Sequence, residues 1–295
     1  MDNLKAKKRH PEEIAVYSAI YVCAAFSVLL LLGIIVYVFA KGARRVNWAF
    51  LTGVTSILHG TVGIAGNILN TLIIILLTMI ITTPIGVGAA IYLNEYAKPG
   101  KLVTVIIFAT ETLAGIPSII FGLFGMLFFG QLCHMGYSLL TGSLTLTLMV
   151  LPLVTRNTQE ALKTVPDSFR TGAVGLGAGK WYTIRTILLP SAMPGIVTGV
   201  ILAIGRIIGE SAALLFTAGS AHLLPKTFDA FLEKIFHSGG TLTIQLYLSA
   251  SKGEFEVAFG IAVVLLVIVL LINFGTKRLA KTVSYTHLRA HETSA

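Results

Sequence analysis

The chain is short of charged residues and of cysteine. Only 12% of its 295 residues are charged, whereas about 25% is typical of a soluble domain. Its hydrophobic share of 55% and its mean hydropathy of +0.85 exclude an ordinary soluble domain. The two cysteines, Cys23 and Cys133, lie in or beside apolar runs and form no CxxC motif. We therefore expect neither a disulfide framework nor a metal site.

The sequence also lacks a complete nucleotide-binding motif. Gly179-Lys180 matches the end of the P-loop pattern GxxxxGK[ST], but Val174 stands at the first glycine position and Trp181 at the hydroxyl position. Neither residue fits the binding of a nucleotide with Mg²⁺, and no strand precedes the segment. A membrane enzyme is also disfavoured, because no constellation of His, Asp, Glu and Ser is apparent. We expect no catalytic residue, no ATP hydrolysis and no bound cofactor in this chain.

The net charge of +9 is concentrated beside apolar runs. Basic residues cluster within 1–13 and again within 277–282. That placement is typical of the cytoplasmic ends of membrane helices and of contact with anionic phospholipid head groups. We expect a phospholipid membrane, and no nucleic acid, as the partner of these charges.

Several apolar runs are long enough to cross a bilayer as helices. About 20 helical residues cross a hydrocarbon core of about 30 Å, whereas a transmembrane barrel has alternating segments of about 10 residues. The first run has twice the length of a signal-peptide core and no cleavage site. The sequence therefore predicts an all-α membrane protein with six transmembrane helices. The predicted spans are 14–40, 67–93 with a break at Pro84, 102–129, 139–155, 192–218 and 257–274.

Six spans place both chain ends on the same side, and the basic bias makes that side cytoplasmic. Lys41, Arg44 and Arg45 oppose this orientation of the first helix. Residues 219–256 are amphipathic, and we expect them to lie outside the membrane or to re-enter its surface. The predicted parts are a cytoplasmic basic N-terminus (1–13), a six-helix domain (14–276) with a cytoplasmic loop (156–190), a basic cytoplasmic end (277–282) and a non-native or disordered tail (283–295).

The polar segment 156–190, called the coupling loop below, interrupts the apolar runs. Pro166 and Asp167 favour the start of a short helix over 166–174. The glycines that follow predict a break, and a second helical pattern then runs from Trp181 to Pro190. Gly177, nine residues, Ile187, one residue and Leu189-Pro190 match the pattern EAA–x3–G–x9–I–x–LP. The segment thereby resembles the cytoplasmic loop of ABC-importer permeases, although Thr171, Gly172 and Ala173 stand at the EAA positions.

Further segments resemble the phosphate-specific permeases of the PstA type. They are LAGIPSIIFGLFG (113–125), TQEALKTVP (158–166), PSAMPGIVTGVILAIGRIIGE (190–210) and SAALLFTAG (211–219). The resemblance covers roughly 12–282 and implies a type I (MetI-like) importer permease that carries inorganic phosphate across the bacterial inner membrane. It implies a second, paralogous permease, two cytoplasmic ATPase subunits that hold ATP and Mg²⁺, and an external phosphate-binding protein.

The resemblance also implies that the coupling loop sits in a groove of the ATPase. The residues expected at or near that contact are Pro166, Phe169, Arg170, Thr171, Gly172, Ala173, Gly177, Trp181, Ile187, Leu189 and Pro190.

Arg206 and Glu210 lie four residues apart inside the predicted fifth span, and therefore on one helical face. A charge at mid-bilayer costs about 2.5–3.5 kcal/mol, so the two form a structural ion pair or line the anion route. The resembling family carries this arginine and glutamate in GRxxGE, which favours the anion route. Arg156 is either a second anion station or a cation that reaches to the interface. Glu111 either pairs with an arginine or is hydrogen-bonded among its neighbouring threonines.

Two other functions remain open from the residues. A permease for another oxyanion, such as sulfate or molybdate, needs the same kind of chain. An ATP-independent secondary carrier belongs to a different class, but such carriers are often built from inverted repeats, and no repeat is evident here.

Overall fold

A computed structural model describes residues 11–56, 61–225 and 227–292. Residues 1–10 of the predicted basic N-terminus and 293–295 of the predicted tail lie outside this range. The helices are α1 (Pro11–Gly42), α2 (Trp48–Thr52), α3 (Ala65–Ile91), α4 (Lys101–Gly115), α5 (Ser118–Gly125), α6 (Leu139–Lys163), α7 (Asp167–Gly175), α8 (Lys180–Thr183), α9 (Leu189–Ile208), α10 (Ala212–Thr217), α11 (Phe228–Glu233), α12 (Leu242–Ser251) and α13 (Phe255–Glu292). Strands β1 (Val54–Ser56) and β2 (Thr61–Ile64) form one antiparallel pair.

Shorter helical segments join some of these elements. The 3₁₀ turns are Ala43–Arg45 and Lys234–Phe236, and the π-helical segments are Tyr92–Tyr96, Met126–Leu132 and Ile184–Leu188.

The predicted all-α membrane class is confirmed. Five continuous helical stretches in the described chain are long and apolar enough to cross a membrane: Ala15–Arg45, Ala65–Tyr96, Leu139–Lys163, Lys180–Ile208 and Phe255–Thr276. The third predicted span, 102–129, is a bent pair, Lys101–Gly115 followed by Ser118–Leu132, with an angle of 103° between its halves, and counting it as one span gives six.

The prediction of an unbroken third span is therefore wrong. Ile116 and Pro117 have extended backbones with ψ values of 132° and 140°. Proline has no N–H for the helical ladder and restricts the residue before it to extended conformations. The chain consequently turns between α4 and α5 instead of continuing straight.

Two other predicted boundaries also change. α3 runs through Pro84 without the predicted break, and close packing supports it there, since a Cβ added at Gly86 would lie 2.9 Å from Cγ1 of Val154. The predicted fifth span, 192–218, ends at Ile208, and α10 is a separate helix.

α6 lies at the centre of the bundle. It begins at Leu139 because Ser138 Oγ accepts the backbone N–H of Thr141 at 3.1 Å. Hydroxyls in the first half of this helix donate to carbonyls one turn earlier, as Ser143 does to Leu139 and Thr145 to Thr141 (both 2.8 Å). Because their polar atoms are satisfied within the helix, these side chains can be buried away from water.

Glycines bring neighbouring helices close to the bundle centre. Gly122 of α5 lies against Ala213 of α10, and Gly125 lies so close to Thr145 that an added Cβ would clash with it. Close approach at small residues is the usual packing mode in lipid, where apolar burial alone gives little driving force. Gly115 differs, because an added Cβ would meet no atom of the described chain within 4 Å.

The segment 219–256, predicted to be amphipathic and outside the membrane or re-entrant, contains α11 and α12. Asn67 Nδ2 donates to the carbonyl of Gly240 at 2.9 Å, and Asn70 Nδ2 donates to Gly240 and Ala221 at 3.0 Å. These buried amides hold the segment against the start of α3. In the same segment Lys234 is buried and donates to the carbonyl of Leu223, and burial lowers the pKa of its ammonium group.

α13 continues far beyond the predicted end of the last span. Residues 283–292, predicted to be non-native or disordered, are helical in the structure. No glycine or proline follows Gly275 to interrupt the helix.

Candidate translocation site and coupling loop

Three helices surround a cavity of about 200 Å³ that contains both predicted arginines. We call it the arginine cavity. α6 contributes four side chains at the spacing i, i+3, i+4, i+7, which places them on one helical face. The lining residues are Thr110, Glu111 and Ala114 of α4, Met149, Pro152, Leu153 and Arg156 of α6, and Arg206 of α9.

Arg156 and Arg206 are both exposed, and within the described chain neither has an ion pair or a side-chain hydrogen bond. Arg206 lies in the last turn of α9, where the helix dipole favours a cation. Guanidinium groups present forked donors that match the oxygens of tetrahedral oxyanions. The cavity therefore has the chemistry of an anion site.

Glu210 does not share a helical face with Arg206, so that prediction is wrong. α9 ends at Ile208, and the carboxylate of Glu210 accepts the backbone N–H of Ala213 at 3.0 Å. Its own carbonyl accepts the hydroxyl of Thr243 at 2.9 Å. Glu210 is buried at the junction of α9, α10 and α12 and forms no ion pair with Arg206 in the described chain. A role for Glu210 in the anion route stays a prediction.

Glu111 lines the arginine cavity, but neither alternative predicted for it appears among the described residues. The hydroxyl of Thr110 donates to the Ile106 carbonyl at 2.7 Å, and that of Thr112 donates to Phe108 at 2.8 Å. Neither hydroxyl reaches the Glu111 carboxylate, and no arginine pairs with it.

The coupling loop forms the helix that the sequence predicts, displaced by one residue. α7 spans Asp167–Gly175, and Pro166 is the extended residue before it. Gly177 then adopts a φ of +79°, a left-handed conformation that glycine adopts without strain.

The predicted helix end at Pro190 is wrong. The helix that begins at Lys180 continues through Pro190 to Ile208. A π-helical segment, Ile184–Leu188, ends two residues before this proline. Local π turns re-arrange the backbone hydrogen bonds and accommodate the missing N–H.

Arg170 points back into its own chain and not outward. Its Nη2 lies 2.8 Å from Glu95 Oε1 and 3.1 Å from the carbonyl of Leu162, and its Nη1 donates to the carbonyl of Val165 at 3.0 Å. Asn94 Nδ2 donates to the same Glu95 oxygen at 2.7 Å. The hydrogen bond to Glu95 raises the pKa of Arg170. We call this set of contacts the loop anchor, because it ties α7 to the end of α3.

The remaining predicted loop residues divide by exposure. Exposed residues are Pro166, Phe169, Thr171, Gly172, Gly177 and Trp181. Ala173 is buried, while Ile187, Leu189 and Pro190 are half-buried where the chain joins the bundle. Sequence reasoning missed Leu176, which is 90% exposed, and the exposed Val174 and Tyr182. Their apolar side chains in an otherwise polar loop are the sequence signal that could have identified them.

The chain has the same fold as chains from solved ABC transporters. The chain matches a chain of a bacterial alginate ABC transporter in complex with an alginate-bound periplasmic protein, with a TM-score of 0.68 at 12% identity over 92% of this chain and 96% of the other. It matches the MetNI methionine ABC transporter with a TM-score of 0.56 at 21% identity, over 75% and 94% of the two chains. The fold is that of a multi-pass permease of an ABC importer.

The chain belongs to the family described as binding-protein-dependent transport system inner membrane component, whose model matches residues 82–285. It is 36% identical to the probable ABC transporter permease protein YqgI of Bacillus subtilis over 279 residues, covering 91% of this chain and 95% of the relative. It is 34% identical to the phosphate transport system permease protein PstA of Xylella fastidiosa, covering 81% and 82%. These relatives confirm the resemblance to PstA-type permeases.

Proposed function

We propose that this chain is one permease subunit of an ATP-driven importer of inorganic phosphate and forms half of the translocation pathway. The observation that carries the proposal is the arginine cavity, where Arg156 and Arg206 line one space without a protein partner in the described chain. The naming of several relatives as phosphate permeases supports the choice of anion.

The exposure of the arginine cavity supports a second permease as partner. An unpaired charge that faces lipid is unfavourable, since placing one at mid-bilayer costs a free energy of about 2.5–3.5 kcal/mol. Arg156, Arg206 and Glu111 are all exposed in the isolated chain. A paralogous permease that packs over this face encloses the charges in a polar pathway, which gives a heterodimer.

The exposed apolar residues of the coupling loop support docking to an ATPase. Phe169, Leu176 and Trp181 are exposed around a loop whose Arg170 is held inward. Aromatic anchors are the residues that most often dominate protein–protein contacts. In the proposed complex two ATPase subunits hold ATP and Mg²⁺, an external phosphate-binding protein delivers the anion, and both ends of this chain are cytoplasmic.

Uptake of radioactive phosphate into proteoliposomes tests the proposal. The vesicles contain the permease pair and ATPases, with the binding protein and ATP supplied on the appropriate sides. Arg206→Gln is expected to reduce uptake at least about tenfold, because it removes charge-assisted hydrogen bonds of about 1.5–3 kcal/mol. Arg44→Gln is the matched control, since Arg44 is exposed and lies outside the arginine cavity.

Two results would overturn the proposal. Wild-type uptake of phosphate without ATPases or ATP would indicate a secondary carrier. Unchanged uptake by Arg206→Gln would remove the anion role of the cavity. Because two guanidinium groups suit any tetrahedral oxyanion, sulfate and molybdate are measured in the same vesicles. ATP-driven uptake of either, without phosphate uptake, would assign the permease to that anion.

A further inference from the structure

The arginine cavity contains a carboxylate as well as two cations. Glu111 comes from α4, Arg156 from α6 and Arg206 from α9, so three separate helices place their charged groups around one space. Glu111 forms no ion pair or side-chain hydrogen bond in the described chain, and the adjacent threonine hydroxyls are engaged with helix carbonyls. Its carboxylate is therefore available to whatever enters the cavity.

A carboxylate in an anion site has a specific consequence for which anion is accepted. An ionised carboxylate only accepts hydrogen bonds. Hydrogen phosphate and hydrogen arsenate carry a hydroxyl that donates one, whereas sulfate is fully ionised near neutral pH and has no proton to donate. All of these anions meet the negative charge of the carboxylate, but only sulfate leaves it without a hydrogen-bond donor that offsets the repulsion. Such an uncompensated repulsive element is a common source of specificity.

The cavity is large enough for this arrangement. Its volume of about 200 Å³ compares with about 30 Å³ for one water molecule in the liquid. A tetrahedral oxyanion and several waters fit between the three helices. Glu111, Arg156 and Arg206 all line this one space, so an anion that enters it meets both cations and the carboxylate.

We propose that Glu111 is a specificity-determining residue that accepts the hydroxyl of a protonated oxyanion and rejects fully ionised ones. This inference rests on the proposed function and adds a basis for the choice of phosphate over sulfate. It requires no covalent step and no change in protonation during transport.

Equilibrium anion binding tests this role. Radioactive phosphate is bound to the assembled permease pair with its ATPases in nanodiscs, without the binding protein, so that only the membrane site selects. Unlabelled arsenate and sulfate then compete. In the wild type, arsenate is expected to displace phosphate and sulfate to displace it poorly. Glu111→Gln is expected to strengthen competition by sulfate about tenfold, because the amide donates a hydrogen bond and carries no charge.

Two further variants sharpen the test. Glu254→Gln is the matched control, because Glu254 is exposed and does not line the cavity, and it is expected to leave both competitions unchanged. Glu111→Ala removes the acceptor without adding a donor and is expected to weaken discrimination against sulfate in the same direction as Glu111→Gln.

The outcomes separate this inference from the proposed function. Phosphate binding by all proteins with unchanged sulfate competition in Glu111→Gln would overturn the role of Glu111 and leave phosphate import standing. Wild type that binds sulfate and not phosphate would overturn both. If size-exclusion chromatography shows that both Glu111 variants fail to assemble the complex, the role of Glu111 in anion selection would be overturned. Glu111 would then form an ion pair with the partner permease instead.

Discussion

The loop anchor offers a quantitative test of how the coupling loop is attached to the membrane helices. Arg170 is 23% exposed and Glu95 only 8% exposed, so their pair is largely shielded from water. Arg170→Met leaves the Glu95 carboxylate buried with Asn94 as its remaining side-chain donor in the described chain. Hydrogen bonds to charged groups contribute about 1.5–3 kcal/mol each. Partial exposure of the arginine favours the lower half of that range for the pair.

A double-mutant cycle isolates this interaction. Arg170→Met, Glu95→Gln and the double variant are compared for thermal stability and for the number of phosphate ions imported per ATP hydrolysed. We expect a coupling energy of about 1.5–2 kcal/mol and a lower import ratio in both single variants, because α7 is no longer fixed to α3. Asp167→Asn is the control, since Asp167 also pairs with Arg170 but is 92% exposed, and surface pairs contribute little.

Additive effects of the two substitutions would refute the loop anchor. An unchanged import ratio in Arg170→Met would show that the anchor stabilises the fold without serving coupling. The hydrogen bond to Glu95 raises the pKa of Arg170, and a raised pKa in a cation gives stability that is lost only as the pH rises through it. The arginine's contribution is therefore expected to persist across the neutral and mildly alkaline range.

Two further predictions concern packing and burial. Gly125→Val is expected to lower the thermal stability strongly, because the valine side chain would collide with Thr145. Gly115→Ala is the control and should change the stability little, because the space around Gly115 is open. Equal effects of the two substitutions would contradict the packing. Burial lowers the pKa of Lys234, so its charged ammonium group destabilises the folded state at neutral pH. This destabilisation falls as the pH rises toward the ordinary lysine pKa of about 10.4, because the buried group loses its proton first. The stability of the wild type relative to Lys234→Met should therefore increase over that range, and a flat difference would contradict it.

The sequence identifies the charged residues that line the arginine cavity, because charges inside apolar runs stand out. Arg156 and Arg206 were both predicted for the anion route, and the structure places them in one cavity. The error on Glu210 came from extending a helical period through Gly209, where the helix ends. Apolar composition alone does not reveal such an end, since α9 and α10 are similarly hydrophobic.

Long-range contacts explain the other differences. Pro84 and Pro117 give the same local signal, yet only Pro117 breaks its span. α3 is packed against α6 near Pro84, whereas the glycine before Ile116 has open space around it. Arg170 was expected to face an ATPase, but its partner Glu95 lies 75 positions earlier, and no local pattern joins two residues so far apart.

The unbroken helix from Lys180 to Ile208 makes the coupling loop and Arg206 parts of one lever. Its 29 residues include both the loop end and the arginine. At 1.5 Å per residue, Lys180 and Arg206 are about 39 Å apart along the axis. A tilt of about 10° about the loop end would move Arg206 sideways by about 7 Å. A small angular step at the loop is thereby enough to carry one wall of the cavity away from the other.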